Sequence, residues 1–127
     1  MADIKTILLV EDDPDDRASI SLMIKSGGYR VVTAGSEAEG IEAFLRERPS
    51  LVLCDIMMER IDAGFRLLKR IREQDSSVPI YLLSNVARIA VSRIDLSAIQ
   101  CDGYIQKPVD PDNLLAIIRE AIGESRP

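Results

Sequence analysis

The sequence contains no histidine. That removes the commonest general base and metal-binding nitrogen, so His-based catalysis and His metal sites are excluded. Its two cysteines, Cys54 and Cys101, lie far apart and match no metal-ligand spacing. They read as small buried hydrophobes in a reducing compartment, and the expected location is cytoplasmic. No unbroken apolar run exceeds the five residues Leu114 to Ile118, whereas a membrane-spanning helix needs about 20. The first residues, Met1 to Lys5, show no basic segment leading into a long apolar stretch, so no secretory leader is read. A basic balance is missing too. The net charge of −5 argues against a general nucleic-acid binder or a binder of anionic membrane surfaces. Neither linker, repeat nor low-complexity tract interrupts the 127 residues, a length that suits one domain with a real core.

What is present is an alternation. Short apolar runs stand at Ile7–Val10, Val31–Val32, Leu51–Cys54, Ile80–Leu83 and Tyr104–Ile105. The first, third and fourth are apolar without alternation, as central parallel strands covered on both faces should be. Between them lie segments with helical periodicity. Ile20, Met23 and Ile24 form one stripe, and Ile41, Phe44 and Leu45 a second, with Ser36 as its cap. Gly64, Leu67, Leu68 and Ile71 form a third, and Leu114, Ile117, Ile118, Ala121 and Ile122 the cleanest. A less regular helix, with Val86, Ile89, Ala90 and Ile94, is expected after the fourth run. Five strands alternating with five helices predict a single doubly wound α/β domain with helices on both faces.

Such folds bind ligands outside the carboxyl ends of the strands. Glu11, Asp12 and Asp13 follow the first run, Asp55 the third, Ser84 and Asn85 the fourth, and Lys107 and Pro108 the fifth. Alone, each is commonplace; Asp13 followed by Pro14 also reads as a helix start. Together they place three carboxylates, an ammonium and a hydroxyl on one rim. Carboxylates so crowded need a cation, and Mg²⁺ suits an all-oxygen site that keeps room for a phosphate. The combination is suited to accepting a phosphoryl group on a carboxylate.

These residues resemble the response-regulator receiver domain of two-component signalling over essentially the whole of residues 1–127. The matching segments are Ile7 to Pro14, Asp55 to Met58, Leu82 to Asn85, and Tyr104 to Pro108. The resemblance implies a five-stranded parallel sheet in flavodoxin-like order 2-1-3-4-5. It also implies a switch rather than a turnover enzyme, and no output domain in this stretch. By the same resemblance, Asp55 takes a phosphoryl group from a sensor histidine kinase or phosphotransfer protein. Mg²⁺ is held by Asp12, Asp55 and the Met57 backbone carbonyl, with Glu11 acting through water. Lys107 contacts the phosphoryl group, and Ser84 and Tyr104 move to report it. The readout surface is the fourth helix, fifth strand and fifth helix, which controls an output protein or pairs two copies of the chain.

There are departures. Glu59 stands where the family often has proline, and one extra residue precedes Gly64. Asn85 is larger than the family's usual small residue there, and is expected to slow phosphodonor access or alter the phosphoryl lifetime. Other readings are a pseudo-receiver that binds protein without phosphorylation, and an enzyme on a similar fold. Met57 stands where a hydrolytic aspartate phosphatase would carry a second Asp. Glu11 to Asp13 would repel a nucleotide's phosphates at a first-strand loop. The basic residues Arg66, Lys69, Arg70 and Arg72 are expected to form a solvated helix face.

Overall fold

The computed structural model describes residues 4–55, 63–85 and 100–123. Strands and helices alternate: β1 Thr6–Val10, α1 Pro14–Ser26, β2 Arg30–Ala34, α2 Glu37–Glu47, β3 Leu51–Asp55, α3 Ala63–Gln74, β4 Ile80–Ser84, β5 Gly103–Gln106 and α4 Pro111–Ala121. All strand pairs are parallel, and the sheet order is β2-β1-β3-β4-β5. This is the order and the doubly wound architecture that the resemblance implies. The irregular helix expected around Val86 to Ile94 lies outside the described residues, so α4 is the helix expected last. Among the described residues, no helix is long and apolar enough to cross a membrane.

Strand alternation divides the core in two. Leu8, Val10, Val52, Cys54, Ile80 and Leu82 point to one face, where Ile41 and Phe44 of α2 and Leu67 and Ile71 of α3 cover them. Ile7, Leu9, Leu51, Leu53, Leu83 and Ile105 point to the other, under Ile20 and Ile24 of α1 and Leu114 and Ile118 of α4. Because both faces are covered, β1 and β3 need apolar side chains at successive positions, which is why their sequences do not alternate. Each fully buried Leu or Ile contributes about 1.5–3 kcal/mol relative to an exposed one.

Helix starts follow from local chemistry. Asp13 caps α1, accepting from the Asp15 N–H at 3.0 Å, with Pro14 in the first turn. Ser36 Oγ accepts from the Glu39 N–H at 3.2 Å, and Glu39 reaches back to the Gly35 N–H at 2.8 Å. Both donors lack partners inside the helix, so the two residues close the start of α2 reciprocally. Ser36→Ala is expected to cost about 1 kcal/mol, read as a lowered urea midpoint with unchanged slope.

Two expectations change. Leu45, placed on the α2 stripe by its spacing from Ile41 and Phe44, is 43% exposed. The buried face of α2 instead runs through Gly40, Ile41, Ala43 and Phe44. A Cβ on Gly40 would lie 2.8 Å from Leu67 Cδ2 and 3.3 Å from Val10 Cγ2. The missing side chain lets α2 approach α3 and β1, and that approach sets which face is covered. The basic face of α3 is not uniformly solvated either. Arg72 is largely buried: it donates to the Val78 carbonyl at 2.6 Å and the Gln100 carbonyl at 3.0 Å, and pairs with Asp102 at 3.0 Å. Arg66 and Arg70 both pair with Glu37 of α2, holding its carboxyl below the usual range.

Candidate phosphoryl-accepting site

Parallel register brings the strand ends level. Val10 pairs with Ala34 and Cys54, Asp55 with Leu83, and Ser84 with Gln106. The next residue on each strand therefore opens on the same rim. Glu11 leaves β1 with its N–H donating to the Ala34 carbonyl at 2.9 Å. Its own carbonyl accepts from the Arg17 guanidinium at 2.9 Å, so the first turn of α1 holds the end of β1 in place.

The carboxylates do gather. One oxygen from each of Glu11, Asp12 and Asp55 lies within 4.8 Å of the others. Glu11 and Asp55 are buried, while Asp12 is half-buried. Lys107 Nζ sits against the group, 2.5 Å from Glu11 Oε1 and 3.0 Å from Asp55 Oδ2. Its backbone N–H donates to the Ser84 carbonyl at 2.8 Å, which ties the end of β5 to the end of β4. The Lys107–Pro108 peptide is cis. Ser84 is itself buried, at 4% exposure.

Electrostatics follow from this crowding. Burial, and then the neighbouring Asp55, push the Glu11 carboxyl up to about 7, against the opposing pull of Lys107. Burial disfavours the Lys107 ammonium. Its hydrogen bonds to Glu11 and Asp55 outweigh that, and its pKa stands above the ordinary lysine value. The Cys54 thiol, under the sheet, is pushed up by burial and stays a neutral core group. Oxygen-only donors, closely spaced and partly buried, fit a hard divalent cation.

One contact was missed by reading only strand ends. Asp16, in the first turn of α1, approaches Lys107 Nζ at 3.2 Å. The signal was available: Asp16 follows the Asp13 cap by three residues, on the turn that faces back toward the strand ends. Beside it lies a cleft of about 330 Å³, with Ile20 and Met23 as apolar lining and Asp16, Asn85, Lys107 and Pro108 around them.

Tyr104, the expected aromatic reporter, is on β5 opposite Leu82 and is 40% exposed. Partial burial and a hydrogen bond with Cys101 raise its pKa to about 12. Met57, Glu59 and the extra loop residue before Gly64 fall outside the described residues; Gly64 itself is buried in α3.

Comparison with known proteins agrees. The model of the response regulator receiver domain matches residues 7–119. Response regulator Rre1 of Synechocystis is 33% identical over 99% of this chain and 55% of its own length. The transcriptional regulatory protein GlrR of Escherichia coli K12 is 35% identical over 95% of this chain and 27% of its own. The chain thus spans about half the length, or less, of these curated relatives. Among solved structures, a CheY-like receiver domain protein from Methanospirillum hungatei superposes with a TM-score of 0.82 at 30% identity, covering 96% of both chains. The receiver domain of a sensor histidine kinase from Pseudomonas aeruginosa gives 0.84 at 29% identity, over 95% of this chain and 99% of that one. That structure holds a magnesium ion in its active-site cleft. Sequence, sheet order and strand-end chemistry converge: this chain belongs to the response regulator receiver domains, the signalling switches of two-component systems.

Proposed function

We propose that this receiver accepts a phosphoryl group on Asp55 and passes the change to its β5–α4 surface. The observation that carries the reading is the position of Lys107 Nζ, 3.0 Å from Asp55 Oδ2 and in contact with Glu11. A fixed ammonium beside a buried carboxylate, next to oxygen donors suited to a divalent cation, is what phosphoryl transfer requires: positioning and charge neutralisation. Asp12 and Asp55 would hold Mg²⁺ directly and Glu11 through water, with the Met57 carbonyl as the remaining protein ligand. Bound there, it would offset the negative charge of the phosphoryl oxygens.

An Asp55 carboxylate oxygen supplies the electron pair for the new bond to phosphorus. The phosphorus–nitrogen bond of a donor phosphohistidine breaks, and its electron pair stays on the imidazole nitrogen. Lys107 then turns from the carboxylates to a phosphoryl oxygen. Ser84, at the end of the neighbouring strand, donates its hydroxyl to another. Ser84 pairs with Gln106 and Leu82 with Tyr104, so movement at Ser84 is felt first by β5. Tyr104 shifts inward, and the surface around it changes its affinity for an output protein or for a second copy of the chain. The donor is a sensor histidine kinase or a phosphotransfer protein.

Incubation with phosphoramidate and Mg²⁺ tests this. Intact-mass measurement is expected to show the gain of a single phosphoryl group, lost when a chelator is present from the start. No gain at saturating Mg²⁺ would overturn the proposal and favour a receiver that binds partners without phosphorylation.

A further inference from the structure

Lys107 is shared by more carboxylates than the transfer needs. Glu11 and Asp55 hold it from inside, and both are buried. Asp16 holds it from outside: its side chain is 46% exposed, on the helix turn that borders the cleft. Three carboxylates therefore contact one ammonium, and Asp12 adds a fourth beside Glu11 and Asp55. With a divalent cation at Glu11, Asp12 and Asp55, those three carboxylates, the cation and Lys107 would be formally neutral, and Asp16 would be the one uncompensated negative charge. Asp16 is also the one of the four that lines the cleft leading to Lys107. Asp16 and Asp55 flank the same ammonium, at 3.2 and 3.0 Å from Lys107 Nζ, so a phosphodonor at Asp55 feels the Asp16 charge.

We propose that Asp16 is a specificity-determining residue for the phosphodonor, disfavouring doubly charged acyl phosphates relative to nitrogen-linked donors that carry a positive charge on the leaving group. This deepens, and rests on, the assignment of Asp55 as acceptor. The physical basis is Coulombic. A carboxylate beside Lys107 repels each added negative charge on the donor, in a partly exposed position where screening acts over about 8 Å at physiological salt. A donor with a protonated nitrogen brings its own compensating cation; an acyl phosphate does not. In both reactions an Asp55 oxygen bonds to phosphorus. With acetyl phosphate the electron pair of the broken bond leaves on the acetate oxygen, and with phosphoramidate on the nitrogen of departing ammonia.

The test compares labelling rates of the wild-type chain, Asp16→Asn and Asp16→Glu with acetyl phosphate and with phosphoramidate. Mg²⁺ affinity is measured separately by NMR titration, so that rates are compared at equal occupancy. Asp16→Asn is expected to raise the ratio of the acetyl phosphate rate to the phosphoramidate rate about 3-fold at low salt. The change should shrink as ionic strength rises, and Asp16→Glu should keep the wild-type ratio. An unchanged ratio in Asp16→Asn, or a salt-independent one, would overturn the inference while leaving the acceptor assignment intact. If the wild-type chain takes no label from either donor, the acceptor assignment fails and this inference fails with it.

Discussion

Asp55→Asn is expected to lose phosphoryl labelling, with the rate from a small donor and Mg²⁺ falling at least about 100-fold. The substitution is isosteric, but a neutral amide oxygen is a far weaker nucleophile than a carboxylate oxygen. Misfolding does not explain such a loss. Asp55 is one of two buried carboxylates sharing Lys107, at 5% exposure beside Glu11 at 0%. Removing one of two buried like charges relieves repulsion, so the variant should unfold at an equal or higher denaturant midpoint. The nearby carboxylates make the experiment decisive. Glu11 and Asp12 offer oxygens within 4.8 Å of Asp55, so a wrong assignment would appear as label retained on one of them. Peptide mapping that finds wild-type label on Glu11 or Asp12, or unchanged labelling of Asp55→Asn, would refute the assignment.

The parts of this molecule most legible in its sequence are those set by short-range, two-sided burial. The Ile7–Val10 and Leu51–Cys54 runs could only be central strands, and their ends had to lie together once the strands were parallel. That is why Glu11, Asp55, Ser84 and Lys107 could be placed on one rim once a doubly wound parallel sheet was read, with the strand order coming from the resemblance. Side-chain rotation about a helix was less legible. Leu45 falls at the i+4 spacing from Ile41, yet the covered face of α2 runs through Gly40 and Ala43, and the missing side chain of Gly40 lets α3 come close. Hydropathy weights side chains by size and overlooks positions that matter because they are small. Arg72 was misread for a related reason. Its guanidinium serves the carbonyls of Val78 and Gln100, contacts across 6 and 28 residues that no local pattern announces. Asp16 lay between these cases: its helix was predicted, but its approach to Lys107 depends on how α1 tilts onto the sheet.

The same crowding predicts a pH-dependent stability. Lys107→Met should cost about 3 kcal/mol near pH 8 without divalent cations, and about 1 kcal/mol near pH 5. The sign follows from Glu11. Its carboxyl rises from 4.5 to about 7 on folding, burial being the largest cause and Lys107 opposing it. A group whose pKa is raised by folding contributes its stability below the unfolded value, and that contribution is lost as pH rises through the folded value. Without the ammonium the opposing pull disappears, and the folded-state pKa climbs further. The variant must then either bury an unpaired carboxylate or keep a proton that the unfolded chain gives up, and both costs grow toward alkaline pH. Near pH 5 the folded carboxyl already holds its proton, so mainly the lost hydrogen bonds remain. Mg²⁺ should restore more stability to the variant near pH 8 than to the wild type, because it replaces the missing positive charge. Urea midpoints at the two pH values, with and without Mg²⁺, provide the measurement. An equal loss at both, unrelieved by the cation, would mean that Lys107 acts through packing of its stem rather than as the counter-charge of this site.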